Sequence, residues 1–144
     1  VFRVRIADPE ELHLCLTIRH EVFVEGQGVP LALEEDGHDE EALHFLVLEG
    51  NAPVGTARMR RTPANEAKVE RVAIREPWRG RGLGDALMAE VEAEAGRRGH
   101  RELILGAQTQ VIPFYEKRGW VAEGPVFLDA GIPHRKMRLH LGAP

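Results

Sequence analysis

Seven residues, Arg79-Gly80-Arg81-Gly82-Leu83-Gly84-Asp85, constrain this chain more than any other segment. They follow an alternating run from Val69 to Ile74. They precede a stretch in which Leu83, Leu87, Val91 and Ala95 recur four residues apart, up to about Arg98. A period of two gives way to one of 3.6, so the segment reads as a tight turn from a strand into a helix. Glycines there let backbone N–H groups converge on a ligand with no Cβ in the way. The helix N-terminus behind them carries partial positive charge, and Arg79 and Arg81 add to it, so a phosphate or pyrophosphate is the natural guest. A plain structural turn uses the same glycines. Two nucleotide motifs fail here: a Walker A loop needs Lys-Ser/Thr where the chain has Leu83-Gly84-Asp85, and G-x-G-x-x-G places Asp85 at its sixth position.

Around that turn, periodicity orders the remaining elements. Val1 to Ile6 alternates like a half-buried edge strand. Asp8-Pro9-Glu10-Glu11 supplies an N-cap, a first-turn proline and a third-position acid, and opens a helix through about Phe23. Gly26, Gly28 and Pro30 break it. Glu34 to Glu41 carries six acids around Gly37 and His38 and reads as a loop or a short exposed turn. Leu43–Leu48, Val54–Arg61 and Ala67–Ile74, separated by short turns, read as an antiparallel meander. After the long helix come a strand at Glu102–Gly106, a short helix at Val111–Arg118, and last strands at Trp120–Ala122 and Lys136–Leu141. The fold class is α+β, with a mixed, mainly antiparallel sheet flanked by helices.

Length and charge narrow the function classes. The 144 residues suit one domain, expected over 1–144, that buries roughly two-thirds of its unfolded surface. The 19 Lys+Arg against 23 Asp+Glu leave a net charge of −4. That weighs against a nucleic-acid partner, because phosphate neutralisation takes a basic surface. The lone Cys15 excludes an internal disulfide and a multi-cysteine zinc site. His13 and His20 stand two helical turns apart, about 10.5 Å, too far to share a metal, and no metal is expected. Apolar runs of four to six residues fall short of the roughly 20 that cross a bilayer. No charged-then-apolar leader opens the chain, so no membrane partner and a cytoplasmic location are expected.

Arg79-x-x-Gly82-x-Gly84 matches the R/Q-x-x-G-x-G/A signature of the GNAT superfamily of acyl-CoA N-acyltransferases, and in the same place, between a strand and a long helix. Phe114-Tyr115-Glu116-Lys117-Arg118-Gly119-Trp120 looks like that family's F-Y-x-x-x-G-F/W segment. Leu105-Gly106-Ala107-Gln108, Gly131-Ile132-Pro133-His134 with Met137, and Glu21-Val22-Phe23-Val24 with Gln27 and Val29-Pro30 resemble the ElaA-like bacterial branch. The chain thus resembles a GNAT N-acetyltransferase over nearly its whole length.

The resemblance implies acetyl-CoA as cosubstrate, held in a cleft where the fourth and fifth strands splay. Val72, Ala73 and Ile74 would run along the pantetheine arm, as an added strand would. The backbone of Arg79, Gly80, Arg81, Gly82, Leu83, Gly84 and Asp85 would take the pyrophosphate, with Phe114 and Tyr115 beside the arm. The acceptor would be a primary amine on a small molecule or peptide, attacking directly in a ternary complex, and the protein a monomer or homodimer. Arg19, Gln108 and His134 fall on the expected acceptor side. The chain departs from the branch at Gly26-Gln27, where Glu-Gln is usual, and at Asp129-Ala130, where more acids are usual. Acceptor identity therefore does not carry over, and a CoA-binding regulatory module without catalysis is the alternative.

Elementary chemistry bounds the roles. An amine of pKa ~10.4 is about one part in 10³ deprotonated at pH 7, a penalty of roughly 4–5 kcal/mol that a base or a desolvated site must offset. Strand N–H groups near Val72 are candidates for the oxyanion. Tyr115 reads as the acid for the leaving thiolate or as a packing tyrosine. Simple alternation puts Glu70 on the face of Lys68 and Val72, as a base acting through water or as an exposed carboxylate. His134 is the other candidate base, since an imidazole accepts a proton at neutral pH, or else a hydrogen-bonded loop residue. Arg19 reads as a ligand for a substrate anion or as a surface arginine. The acidic segment either attracts cationic amines or is a solvated face. Cys15, among Leu12, Leu16 and Ile18, reads as a buried small hydrophobe.

Overall fold

The alternating segments pair into one seven-stranded sheet in the computed structural model, which describes residues 1–142. The strands are β1 (Phe2–Ile6), β2 (Leu43–Glu49), β3 (Ala52–Arg61), β4 (Ala67–Ile74), β5 (Glu102–Gln108), β6 (Val121–Asp129) and β7 (Ile132–His140). Their spatial order is β1-β2-β3-β4-β5-β7-β6, and every neighbouring pair is antiparallel except β4 with β5. The expected α+β class and the meander β2–β3–β4 are what the sheet shows.

Helices cover both faces of β2–β4, which explains the unbroken apolar run of β2. Phe45 and Val47 pack on the side of α3 (Leu83–Arg97), beside its buried stripe Leu83, Leu87, Met88, Val91 and Ala95. Leu46 and Leu48 point the other way, onto Cys15, Ile18 and Val22. These belong to α1 (Leu12–Arg19) and to a π-helical turn, His20–Glu25, that continues it. Each large apolar side chain so buried contributes about 1.5–3 kcal/mol. Cys15 is fully buried there, as a small hydrophobe.

Three expectations change. The acidic segment is not a simple exposed loop. It begins in a short helix, α2 (Leu31–Glu34), and Glu34 is only 1% exposed. The two last strands are longer than their apolar cores. They join through Ala130 and Gly131, whose φ values of 51° and 76° give a two-residue hairpin turn. Gly131-Ile132-Pro133-His134 therefore leads straight into β7 and is not a free turn.

The third change reorients the site. Thr56 faces Ala73 and Arg58 faces Glu70, so Ala57 opposes both Arg71 and Val72. This is a β-bulge, and Arg71 sits in it with φ of 57°. A left-handed conformation costs a residue with a Cβ about 1–2 kcal/mol. The extra residue reverses the alternation. Ala67 and Val69 face α3, as do Val72 and Ile74, whereas Ala73 faces α1. Glu70 and Val72 thus lie on opposite faces of β4, contrary to simple alternation.

Candidate active site

β4 and β5 pair only at Ala67–Leu103 and Lys68–Ile104. Beyond these the strands part, and a cleft of about 970 Å³ opens between them. Its walls come from β4, β5, the start of α3, the short helix α4 (Ile112–Glu116), the π-turn and the β6–β7 hairpin. The backbone lining it follows from register. Arg75 N–H donates to Val54 O at 2.9 Å, and hydrogen-bonded and non-hydrogen-bonded pairs alternate along an antiparallel ladder. Ala73 therefore bonds β3, while Val72 and Ile74 turn their N–H and C=O groups into the cleft. Ile74 O accepts from Arg79 Nε at 2.8 Å, which ties the strand end to the glycine turn.

In that turn Gly80 and Gly82 have φ of 77° and 78°, a left-handed geometry that glycine takes without strain. Gly82 caps α3 with no side-chain partner, so the first N–H groups of the helix face the cleft mouth uncapped. Successive amides of this kind form an anion-binding concavity. A Cβ on Gly84 would lie 3.3 Å from the Phe114 ring, so glycine there lets α4 close on α3. Asp85 is held by Arg118 at 3.1 Å, which offsets an acid placed beside an anion site.

Tyr115, Glu70, His134 and Gln108 all line the cleft. Tyr115 is 6% exposed and packs edge-on to Phe114 and Trp120. Burial, with the Glu92 carboxylate nearby, pushes its pKa up to about 12. Its hydroxyl is a lasting donor. His134 Nδ1 lies 2.6 Å from Ile132 O, so that nitrogen carries the proton and Nε2 is left as the acceptor. The imidazole stacks on Phe127, with centroids 5.8 Å apart. Gln108 Nε2 donates to Gln27 Oε1 across the cleft at 2.9 Å.

Glu70 has neighbours that its place in the sequence hides. Arg60 Nε donates to it at 2.6 Å, Arg58 Nη2 at 3.0 Å, and Lys68 Nζ lies 3.7 Å away. Burial works to raise its pKa, but these cations win and hold it below the usual carboxylate range. Such a group is a poor proton acceptor.

Arg19 is neither a surface arginine nor a substrate ligand. It is fully buried, with its guanidinium committed to Glu34 at 2.9 Å and Asp39 at 2.6 Å. It belongs to an array of four arginines (19, 58, 60, 71) and four carboxylates (Glu34, Asp36, Asp39, Glu70) beside the cleft. The acidic segment supplies three of those carboxylates, so it balances buried charge instead of forming a solvated face. Arg58 is also fully buried and bonds Asp36, Asp39 and Glu70. The available signal was Arg58 itself, a charge inside the apolar strand Val54–Met59. Among the described residues no group of three or more His, Cys, Asp or Glu is placed to hold a metal ion. None of their helices is long and apolar enough to cross a membrane.

The family model for the acetyltransferase (GNAT) domain matches residues 7–141. The chain belongs to the GNAT acetyltransferase family. It is an acyltransferase. YjcF of Bacillus subtilis, named an uncharacterized N-acetyltransferase, is 40% identical over 129 residues, covering 89% of this chain and 91% of YjcF. The crystal structure of an acyl-CoA N-acyltransferase from Pseudomonas aeruginosa superposes with a TM-score of 0.84 at 28% identity, covering 96% and 97% of the two chains. Escherichia coli ElaA shares the fold, with a TM-score of 0.84 at 24% identity and 96% and 99% coverage.

Proposed function

We propose that this protein is an acetyl-CoA-dependent N-acetyltransferase in which a primary amine attacks the thioester directly, within a ternary complex. One observation carries the reading. The Val72–Ile74 edge of β4, which no strand pairs on the cleft side, runs into an uncapped, glycine-lined helix start, a strand-like groove ending in an anion cradle. An extended amide chain with a pyrophosphate at its end fits that sequence of donors. The name of the Pseudomonas relative, an acyl-CoA N-acyltransferase, supports the same donor class. Arg79 to Asp85 would hold the pyrophosphate, Val72 to Ile74 the arm, and Phe114 with Tyr115 its thioester end.

The roles follow from the groups present. The Val72 N–H is the donor for the oxyanion, and in a water-poor cleft such a donor contributes on the order of 3 kcal/mol. His134 Nε2 is the base, because its tautomer leaves a lone pair there while Glu70 is committed to three cations. Tyr115 donates a hydrogen bond to the departing sulfur. Full proton transfer from a phenol at about 12 to a thiolate of reference pKa about 8.5 is uphill by roughly 5 kcal/mol. The acceptor is a small-molecule or peptide amine.

The direct test follows free thiol while acetyl-CoA is offered with amino acids, peptides, polyamines and aminosugars. Amine-dependent thiol release supports the assignment. Tight CoA binding with no release across the panel supports a CoA-responsive regulatory module, and no CoA binding at millimolar ligand removes both.

A further inference from the structure

Arg71 is an arginine where the backbone asks for glycine. Its φ of 57° lies in the left-handed region, and an arginine has no short side chain to bond its own backbone there. What holds it is a clamp from α2. Arg71 Nε donates to Glu34 Oε2 at 2.7 Å, and Nη2 donates to the Glu34 carbonyl at 3.0 Å and the Leu33 carbonyl at 3.3 Å. Asp36 Oδ2 accepts a longer bond at 3.4 Å. Glu34 is itself fixed, being 1% exposed and bonded through both carboxylate oxygens to Arg19, at 2.9 and 3.0 Å.

The peptide plane after Arg71 contains the Val72 N–H. Any rotation at Arg71 swings that donor, and a donor for a developing oxyanion works only within about 2.7–3.1 Å of the oxygen. We propose that Glu34 and Arg71 form a latch that locks the β4 bulge and aims the Val72 N–H into the cleft, which makes both of them positioning residues for acyl transfer. The inference rests on the acetyltransferase reading of the cleft. Both act through the Val72 amide. Arg19 belongs to the device because it keeps the Glu34 carboxylate in one orientation, and α2 becomes part of the catalytic scaffold through a contact 37 residues apart in sequence.

Arg71→Gly is the informative substitution. Glycine takes a φ near +57° without strain, so the bulge stays and only the clamp goes. Its kcat should fall tenfold or more while the KM for acetyl-CoA changes less than threefold, because the phosphate turn is untouched. Glu34→Gln should act in the same direction. In a double-mutant cycle the pair should cost no more than the worse single change, as residues of one unit do. A readout independent of activity is ¹⁵N relaxation of the Val72 amide. Its order parameter should drop from about 0.85 toward 0.6 in Arg71→Gly. A wild-type kcat in Arg71→Gly, an unmoved Val72 amide, additive losses, or equal losses in kcat and acetyl-CoA affinity would each overturn the latch. A wild-type protein that binds CoA yet transfers nothing would overturn the acetyltransferase reading instead, and the relaxation measurement would still decide the latch.

Discussion

Tyr115 keeps its proton at any working pH, because burial and the neighbouring Glu92 push its pKa up to about 12. Tyr115→Phe should therefore lower kcat about tenfold or more, the scale of one lost donor to a charged group, and leave CoA affinity within twofold. The pH profile should show no limb from this phenol below about pH 11, and a stopped-flow thiol assay from pH 6 to 10 checks it. Equal losses in kcat and in CoA binding would leave Tyr115 as packing alone. His134→Gln keeps an amide near Ile132 O but offers no base. General-base removal typically costs 10²–10⁴-fold, so kcat/KM should drop by at least about 10². The residual rate should climb with pH as free amine becomes available in bulk. Both residues line the cleft, and both were singled out by the sequence, one through its motif and the other as a candidate base. Glu34, Arg58 and Arg71 were not. Their partners lie 12 to 37 residues away, and charge pairing at that separation leaves no periodic trace.

The elements were legible wherever a period repeated, and they slipped where one residue broke the period. The β4 bulge is the sharpest case. An inserted residue usually announces itself as glycine, but here it is an arginine whose conformation is held by tertiary contacts. The end of β6 was missed because its tip, Val126 to Leu128, is apolar yet exposed, so no buried face marks it. The glycine turn was read correctly as a strand-to-helix turn, and its geometry now separates two glycines by task. Gly82→Ala places a Cβ at φ of 78°, at a strain of about 1–2 kcal/mol, and tilts the uncapped amides. It should raise the KM for acetyl-CoA about tenfold with little change in kcat. Gly84→Ala instead presses a Cβ within 3.3 Å of Phe114. That moves α4 and Tyr115, so kcat should suffer along with KM. Calorimetry with CoA and steady-state kinetics on the two variants separate these outcomes, and identical profiles would remove the division of labour.

Across the whole molecule, the net charge of −4 says little, because the charges that matter cancel inside. Asp36 is lowered first by its hydrogen bond from Arg58, and Asp39 and Glu70 are lowered by arginines that overcome their burial. All three therefore have folded-state pKa values below their unfolded values of about 3.9–4.3. A carboxylate of that kind adds stability that is fully present above the unfolded pKa and is lost as pH falls through the folded one. The melting temperature should stay nearly flat from pH 8 to 6 and fall steeply below about pH 4. The array also explains why it cannot be dismantled piecemeal. Arg58→Met vacates a fully buried site and takes from Asp36 its principal cation, leaving Asp39 to Arg19 and Glu70 to Arg60 and Lys68. Removing one partner from a buried ion pair costs about 3–5 kcal/mol, which for a chain of this size lowers Tm by roughly 10–17 °C. Asp36 would then have less reason to stay ionised. Its folded pKa should rise toward the unfolded one while Arg19 and Arg60 still lower Asp39 and Glu70, so the Arg58→Met protein should lose less stability than wild type between pH 5 and 3. Calorimetric melts of both proteins across that window measure the two slopes, and parallel slopes would mean that the acid sensitivity does not reside in the Arg58–Asp36 pair.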